Sequence, residues 1–473
     1  MGRFVLCLAV FVFMYASSAM AVDVKVSGSF DVAGMYEAHP TMTDAASTAF
    51  MFQRLKIKTV FEVSPGLSLT TQFAALEKIW GDNRWGGTRG DTFGRPSSGT
   101  GPSAPGLYDY DMARENIEIQ QVYLSYSAGK IGNFNVGYVP HDTVWGTQWG
   151  TSERPVAMVQ WGKRAGDFIF GAKYMKNVEG SRTHKGSYTG SFVTDADKDS
   201  FSAVIVYRKS FIDTGFKWAY LDARERKPLA TGGGVIPAST EQFKTTGHLL
   251  TPYIIMTFGG FKIEAEVEHF TGKRKYDDNS GKDIGMQSWS AYLDGSFNKG
   301  PFGVGATLAY ASGDDPATRG RMEGLPDSTF STWGGLDYNP GLILWNDDRN
   351  VYRGALGSRT SPAGTWQANV RSGVSNAKMV SVYGNYRPTE SWDLKLVYLF
   401  ARADELPVDT GGRFVSKNIG HELDFIATYK ITNNLSYMVG AGYLWAGDFF
   451  KGSASTLKVK DDYLFTNKLS LTF

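Results

Sequence analysis

Eighteen extended segments run through this sequence, and the connections between them are alternately short and long. The short connections are rich in turn residues, as in Ser64-Pro65-Gly66 and Gly259-Gly260. The long ones are polar, and the longest covers residues 313–377. A soluble β-sandwich has no reason to gather its long loops at one end. A β-barrel that crosses an outer membrane does, because its periplasmic turns are short and its external loops are long. The spacing therefore predicts such a barrel.

Within the segments, apolar and polar residues alternate with the period of two expected for strands that have one apolar face. In the first strand, Val24 and Val26 alternate with Lys25 and Ser27. We expect the strands at 23–36, 50–63, 67–80, 115–128, 131–140, 156–165, 167–177, 200–208, 211–222, 247–258, 261–270, 286–297, 301–312, 378–387, 391–402, 419–430, 435–446 and 462–473. With both termini periplasmic, the number of strands must be even.

The predicted fold class is all-β: a transmembrane, antiparallel, up-and-down β-barrel of eighteen strands. Strands 4 to 6 and strand 8 alternate less regularly, so a sixteen-stranded barrel with one hairpin folded outside is the alternative. The composition agrees with a barrel of either strand number, since 14% of residues are aromatic and 55 are glycine. No apolar run after residue 21 approaches the roughly 18 residues that a membrane helix needs.

The first 21 residues have the pattern of a secretory signal peptide. Arg3 supplies positive charge, residues 4–15 are apolar, and Ala19-Met20-Ala21 fits the small-x-small cleavage site. We therefore divide the chain into a signal peptide, 1–21, and a single barrel, 22–473. Cys7 is the one cysteine and lies in the signal, so the mature protein is expected to lack disulfides, thiolate catalysis and cysteine-based metal sites.

The last strand ends the sequence on an aromatic residue. Phe465, Leu469, Leu471 and Phe473 share one face of this strand. The pattern resembles the C-terminal assembly signal of Gram-negative outer-membrane proteins. That resemblance implies the cell outer membrane as the location, with outer-membrane lipid, lipopolysaccharide and the barrel-assembly machinery as partners.

A barrel of sixteen to eighteen strands is wide enough to leave an aqueous channel. The parity of the apolar residues then predicts two charged rows in its lumen. Arg54, Lys56 and Lys58 form a basic ladder on strand 2, and Glu264, Glu266 and Glu268 form an acidic ladder on strand 11. Strands 2 and 11 are nine apart in a closed sheet of eighteen, so the ladders should face each other across the lumen. Our hypothesis is that the three glutamates raise cation permeability; the alternative is that any charge is tolerated at wet positions.

Two loops are candidates for narrowing the channel. The loop at residues 141–155 carries Trp145, Trp149, Glu153 and Arg154. It is the third loop, and in porins that this chain resembles the third loop often folds inward as the constriction. The loop at residues 313–377 contains an apolar patch, 342–345, beside charged residues. A loop of that length without its own structure is unusual, so it either enters the lumen or packs on a neighbouring subunit.

Other kinds of site find little support. The acidic run Asp195, Asp197 and Asp199 lacks the glycine and the final glutamate of a calcium loop, and the six histidines are not at metal-ligand spacing. Nothing resembles a nucleophile motif, so we predict no enzyme, no catalytic residue, no metal and no cofactor. The formal net charge of +2 gives no support for nucleic-acid binding.

Two stretches resemble known barrels. Val22-Asp23-Val24-Lys25-Val26-Ser27-Gly28 resembles the start of outer-membrane porins of sulfate- and metal-reducing bacteria, some of which are homotrimers. Gly420-His421-Glu422-Leu423-Asp424, continued through residues 443–473, is similar to the end of barrels in the alginate-export family. The implied function is a porin, a homotrimer, that passes small hydrophilic solutes and ions by passive diffusion. The alternatives are a polysaccharide-export barrel and a sheath for an electron-transfer cytochrome.

Overall fold

The structure is a computed structural model that describes twelve stretches of the chain, with gaps between them. They are residues 22–44, 47–81, 117–140, 155–178, 197–228, 240–276, 283–318, 320–324, 340–346, 348–349, 376–409 and 411–473. The predicted signal peptide and the candidate constriction residues Trp145, Trp149, Glu153 and Arg154 lie outside these ranges, so both stay predictions.

Eighteen antiparallel strands form one closed wall. Each strand pairs with the next in sequence, and the first pairs with the last, from Ser29 opposite Thr472 to Glu37 opposite Leu464. The strands are β1 (Asp23–Glu37), β2 (Thr48–Ser64), β3 (Leu67–Ile79), β4 (Ile117–Ser127), β5 (Asn133–Pro140), β6 (Pro155–Ala165), β7 (Phe168–Val178), β8 (Lys198–Lys209), β9 (Ile212–Pro228), β10 (Thr240–Phe258), β11 (Phe261–Tyr276), β12 (Ile284–Lys299), β13 (Phe302–Ala311), β14 (Ala377–Tyr386), β15 (Trp392–Arg402), β16 (Asn418–Lys430), β17 (Leu435–Ala446) and β18 (Asp462–Thr472). The eighteen-stranded prediction is confirmed, and the sixteen-stranded alternative is wrong.

A few short elements lie between the barrel strands. Arg321–Met322 pairs in parallel with the start of β12, and Val408–Asp409 pairs with Gly412–Arg413. Single turns of 3₁₀ helix occupy Gly129–Ile131 and Asp448–Lys451. Among the described residues, no helix has the length and apolar character needed to cross a membrane.

The tight turns gather at one end of the barrel, as the sequence predicts. The turn between β10 and β11 consists of Gly259 and Gly260, both with positive φ, at 54° and 87°. Among the two-residue hairpin turns that match the twist of their strands, type I′ has positive φ at both central positions, which glycine adopts without steric cost. The positive φ at both positions explains why two consecutive glycines form this turn.

Alternation sorts the wall into an apolar outward face and a mixed inward face. Outward residues such as Val304 and Leu396 are about half exposed, at 54% and 52%. On the opposite face, residues of β1 and of β12 through β18 pack together in one buried cluster. Strands so far apart around a closed wall can share a cluster only on its concave side, which identifies that face as the interior.

Three neighbouring strands extend farther than the sequence pattern predicts. β9 continues to Pro228 instead of 222, β10 begins at Thr240 instead of 247, and β11 continues to Tyr276 instead of 270. The predicted ends were wrong because the additional residues are mostly polar or charged. Backbone pairing does not need apolar side chains, so the ladder continues after the apolar alternation has ended.

Candidate functional site

The basic residues predicted for strand 2 lie on the inward face of β2. Arg54 is directly opposite Asp31 of β1 in the strand register. Its guanidinium nitrogens lie 3.7 Å from an Asp31 oxygen and 3.8 Å from an oxygen of Glu77. Lys56 and Lys58 follow at alternate positions toward the short-turn end. Because two carboxylates flank Arg54, it adds little net positive charge to this row.

The acidic residues predicted for strand 11 lie on the inward face of β11. Glu266 and Glu268 are only 1% and 8% exposed. Lys262 forms an ion pair with Glu264, and Lys217 on β9 interacts electrostatically with Glu266 and Glu268. The two ammonium groups offset part of the negative charge, so this part of the wall carries charges of both signs.

Asp294 on β12 adds a fourth carboxylate to this part of the wall. It is opposite Glu264 in the register of β11 and β12. Its oxygens accept hydrogen bonds from the hydroxyl of Thr307, at 2.6 Å, and from the hydroxyl of Tyr383, at 2.9 Å. The Lys395 ammonium lies 5.1 Å from the centre of the Tyr383 ring, within cation–π range. These contacts hold Asp294 in place beside Glu264.

Part of the long loop after β13 lies inside the barrel. We call residues 340–346 and 348–349 the inner segment. The backbone N–H groups of Ile343 and Leu344 donate to the two carboxylate oxygens of Glu422, at 2.7 and 2.8 Å. The N–H of Leu342 donates to Asp424 at 3.2 Å. Both carboxylates belong to the inward face of β16, so this wall strand binds the backbone of the inner segment directly.

The end of the inner segment binds the junction between β1 and β18. Arg349 is fully buried, and its guanidinium nitrogens lie 2.7 and 2.6 Å from Oε1 of Glu37 on β1. The neighbouring Asp348 accepts a hydrogen bond from the ammonium of Lys468 on β18, at 3.5 Å. Adjacent residues of the inner segment thus contact the first and the last strand of the wall.

Glycines on the wall and in the inner segment make this close contact possible. A Cβ at Gly440 of β17 would lie 3.0 Å from a methyl carbon of Leu342. A Cβ at Gly341 would lie 2.5 Å from a carboxylate oxygen of Glu422. Larger residues at these positions would hold the segment away from the wall, so the glycines belong to the binding surface.

A second anchor fixes the start of the same loop at the outer rim. Asp404, just after β15, accepts hydrogen bonds from the backbone N–H of Gly313 at 2.9 Å and from the Tyr310 hydroxyl at 3.1 Å, and it pairs with Lys378 at 2.8 Å. Burial raises the pKa of Asp404, but the Gly313 N–H and the Lys378 ammonium lower it more, so its pKa lies below the ordinary value. The anchor is therefore ionised at neutral pH.

Sequence reasoning left two possibilities for the loop at 313–377, and its inner segment lies inside the barrel. The residues that bind it there were not singled out as a site. Glu422 and Asp424 alternate with Leu423 and Phe425, which are outward and exposed. The parity rule that identified the two ladders therefore also marks this carboxylate pair as inward.

The predicted assembly residues lie on the outward face of β18. Phe465, Leu469 and Phe473 are 53%, 36% and 50% exposed, and Leu471 is half-buried. Phe473 exchanges two backbone hydrogen bonds with Gly28 of β1, at 2.8 and 3.0 Å. The last residue thus takes part in closing the wall. Its role as a signal to the assembly machinery stays a prediction.

Metal binding finds no support in the described residues. They contain no group of three or more histidine, cysteine, aspartate or glutamate side chains that could hold a metal ion. Asp197 and Asp199, from the acidic run noted in the sequence, both bind the ammonium of Lys176, at 2.5 and 3.3 Å. Asp195 lies outside the described residues.

A closed wall leaves no unpaired strand edge for lipid to meet, and its outward face is apolar. The chain is an outer-membrane β-barrel. No protein-family model and no curated protein matches its sequence. Solved structures with similar folds include OccK8 (OprE) from Pseudomonas aeruginosa, at 11% identity and a TM-score of 0.49, covering 95% of this chain and 98% of that one.

Two further solved structures also have a similar fold. The anion-selective porin from Comamonas acidovorans has 10% identity and a TM-score of 0.42, covering 96% of this chain and 100% of that one. OmpT, an outer-membrane protein of Vibrio cholerae, has 10% identity and a TM-score of 0.39, covering 97% and 99%. Similarity this weak assigns no solute and no activity to this chain.

Proposed function

We propose that this barrel is a porin through which small hydrophilic solutes and ions diffuse passively. The observation that carries the proposal is the inward face of an eighteen-stranded wall, which presents charged side chains of both signs. A wall of this size leaves an aqueous channel unless it is filled. Charged lumen side chains favour water and polar solutes over apolar ones.

The inner segment would narrow this channel from one side. It binds the part of the wall formed by β16, β18 and β1. The acidic ladder on β11 lies far around the wall from that attachment, with four strands between β11 and β16 in one direction and nine strands between β11 and β1 in the other. We propose that solutes pass between the inner segment and the wall that carries Glu264 and its neighbours.

The charge balance of the ladders favours cations. Around β11, four carboxylates, those of the acidic ladder and Asp294, are accompanied by the ammonium groups of Lys262 and Lys217. On β2, two carboxylates flank Arg54, and Lys56 and Lys58 add positive charge to the same row. The excess negative charge on β11 would attract cations, whereas Lys56 and Lys58 would limit the preference.

Single-channel recording of the purified protein in a planar bilayer tests the proposal. We expect discrete conductance steps, and closure in groups of three would support the predicted homotrimer. A correctly folded protein that conducts no ions would contradict the channel. No observation among the described residues favours the polysaccharide-export or the cytochrome-sheath alternative, and the two family resemblances stay expectations.

Replacing Glu264, Glu266 and Glu268 with glutamine should reduce the preference for cations. Glutamine keeps the size of each side chain but removes the three negative charges. The measurement is the reversal potential in a gradient of potassium chloride, and we expect it to shift toward the anion side. A matched control replaces three exposed carboxylates at the short-turn end, Glu62, Asp167 and Glu390. An acidic-ladder variant with the reversal potential of the wild type would rule out the selectivity role.

A further inference from the structure

A cavity of about 520 Å³ lies at the short-turn end of the barrel, beside the turn that joins β2 to β3. Cavities that hold small molecules in proteins usually measure about 300–1,000 Å³ and are mostly apolar. This one has the size of such a site but a different lining, which includes hydroxyl, amide and carboxylate side chains. We call its polar members the mouth site: Asp23, Glu62, Ser68, Ser125, Ser127 and Asn133.

The mouth site faces the lumen. Glu62 lies four residues after Lys58 on the inward face of β2. It is directly opposite Asp23 of β1 and Ser68 of β3, and Ser68 is directly opposite Ser125 of β4. Residues directly opposite each other on neighbouring strands share a face. The remaining two members are inward by the same rule, from the register of β4 and β5.

Most of the mouth site is polar without being charged. Its three serine hydroxyls and its asparagine amide can each donate and accept hydrogen bonds. The carboxylate of Glu62 forms an ion pair with the ammonium of Lys25 at 2.5 Å, and Asp23 interacts electrostatically with the same ammonium. One cation thus offsets part of the charge of two carboxylates. The slight excess of negative charge that remains disfavours anions.

Uncharged polar side chains continue from the mouth site along the wall. The hydroxyl of Ser125 donates a hydrogen bond to Oδ1 of Asn135 on β5, at 2.7 Å. Asn135 is directly opposite Gln160 of β6. The row that runs from Ser68 through these residues to Gln160 therefore consists of hydroxyl and amide groups on four neighbouring strands. A solute that binds at the mouth site meets further hydrogen-bonding groups on its way through the lumen.

The turn beside the cavity is held in place by the backbone. The N–H of Ser127 donates to the carbonyl oxygen of Gly66 at 2.7 Å. Gly66 has a φ of 80°, and a Cβ there would lie 3.3 Å from the Cβ of Ser127. The glycine therefore lets the turn lie directly against the end of β4. A site whose frame is already ordered loses less conformational entropy when a ligand binds.

We propose that the mouth site binds neutral polyhydroxylated solutes, the class to which sugars belong. The inference rests on the proposed channel, because the site lies on the inner face of the wall. A sugar ring carries several hydroxyls that donate to carboxylates and both donate to and accept from serine and asparagine. A site built to hydrogen-bond its ligand rejects analogues that lack the hydroxyls, because its own polar groups would be left unpaired.

Saturation-transfer NMR of the folded barrel tests the proposal, with inositol as the probe and a detergent that has no sugar headgroup. The variant Ser68→Ala, Ser125→Ala, Ser127→Ala should bind inositol on the order of tenfold more weakly, because it loses three uncharged hydrogen-bonding groups. Alanine removes only the hydroxyl oxygen from each side chain, and folding of the variant is verified by its heat-dependent mobility in gel electrophoresis. A folded variant that binds inositol like the wild type would overturn the proposal.

The matched control removes three inward hydroxyls of the same barrel end from other strands. It is the variant Ser296→Ala, Thr428→Ala, Ser436→Ala. We expect it to bind inositol like the wild type. An equal loss of binding in the control and in the mouth-site variant would place the binding elsewhere in the lumen and would also overturn the proposal.

A second arm uses the wild-type protein alone, so that the result does not depend on a variant folding. Cyclohexanol has the same carbon ring as inositol but one hydroxyl, and it should bind on the order of tenfold or more weakly. Equal binding of the two would contradict the proposal, as would stronger binding of the diamine putrescine, which would indicate a cation site. Ion conductance of the same preparation separates the two proposals. A barrel that conducts ions without binding inositol refutes only the sugar site, whereas one that conducts nothing refutes the channel.

Discussion

Replacing Arg349 with methionine is expected to release the inner segment and to increase the single-channel conductance. The guanidinium of Arg349 is fully buried against Glu37. Removing one partner of a buried ion pair leaves the other charge without compensation, which costs about 3–5 kcal/mol. Glu37 would then be buried beside Asp462, another fully buried carboxylate. Water that enters between the inner segment and the wall would relieve this cost.

The measurement is the single-channel conductance of the variants. Their folding is first verified by the heat-dependent shift of their mobility in gel electrophoresis. Arg387→Met serves as the control, because its ion pair with Asp393 is exposed and such pairs contribute little to stability. Glu422→Gln is a second variant that acts at the other attachment of the segment, where a carboxylate accepts two backbone N–H groups. If both variants fold and conduct like the wild type, the inner segment does not limit the channel.

The second large effect is expected for closure of the wall: Gly28→Ala should strongly slow folding into membranes. A Cβ at Gly28 would lie 2.4 Å from the backbone oxygen of Lys56 and 2.6 Å from a ring carbon of Phe473. The first contact is with backbone, so rotation of a side chain cannot relieve it. Overpacking of this kind costs about 1–3 kcal/mol, and here it affects β1 on both sides, where Gly28 pairs with β2 and where it bonds to Phe473 at the closure of the wall.

Folding kinetics into lipid vesicles provide the measurement for this substitution. Gly295→Ala is the matched control, because a Cβ on this strand glycine would meet no atom within 4 Å. Deletion of Phe473 should slow folding as well, since it removes both hydrogen bonds to Gly28, while leaving ion selectivity unchanged. A Gly28→Ala protein that folds at the rate of the control would refute this account of closure.

Most of the wall was predictable because its strands and tight turns obey local rules. Period-two alternation gives the face of each strand, and turn residues such as Gly259-Gly260 give the ends. The same alternation predicts that the charged rows on β2 and β11 face the lumen. It does not predict which residues of neighbouring strands form ion pairs with them. Asp31 and Glu77 beside Arg54, and Lys217 beside Glu266, come from neighbouring strands whose register depends on hydrogen bonds between strands.

The interior could be predicted only in part, because nothing periodic connects a loop with the wall that it touches. The patch at 342–345 was noticed for being apolar, and the sequence allowed it to lie in the lumen or on a neighbour. What holds it inside are backbone N–H groups on the carboxylates of Glu422 and Asp424. Every residue type except proline has the same backbone N–H donor, so the position of such a contact cannot be identified from sequence.

The double attachment of the inner segment also bears on the mechanical strength of the barrel. Every pairing but one joins strands that are neighbours in sequence, and the exception is the seam between β1 and β18. Asp348 and Arg349 hold Lys468 and Glu37 on opposite sides of that seam. Lateral opening of the wall under membrane tension would have to break these contacts together with the backbone ladder. The inner segment thus stabilises the one pairing of the wall whose two strands are not consecutive in the chain.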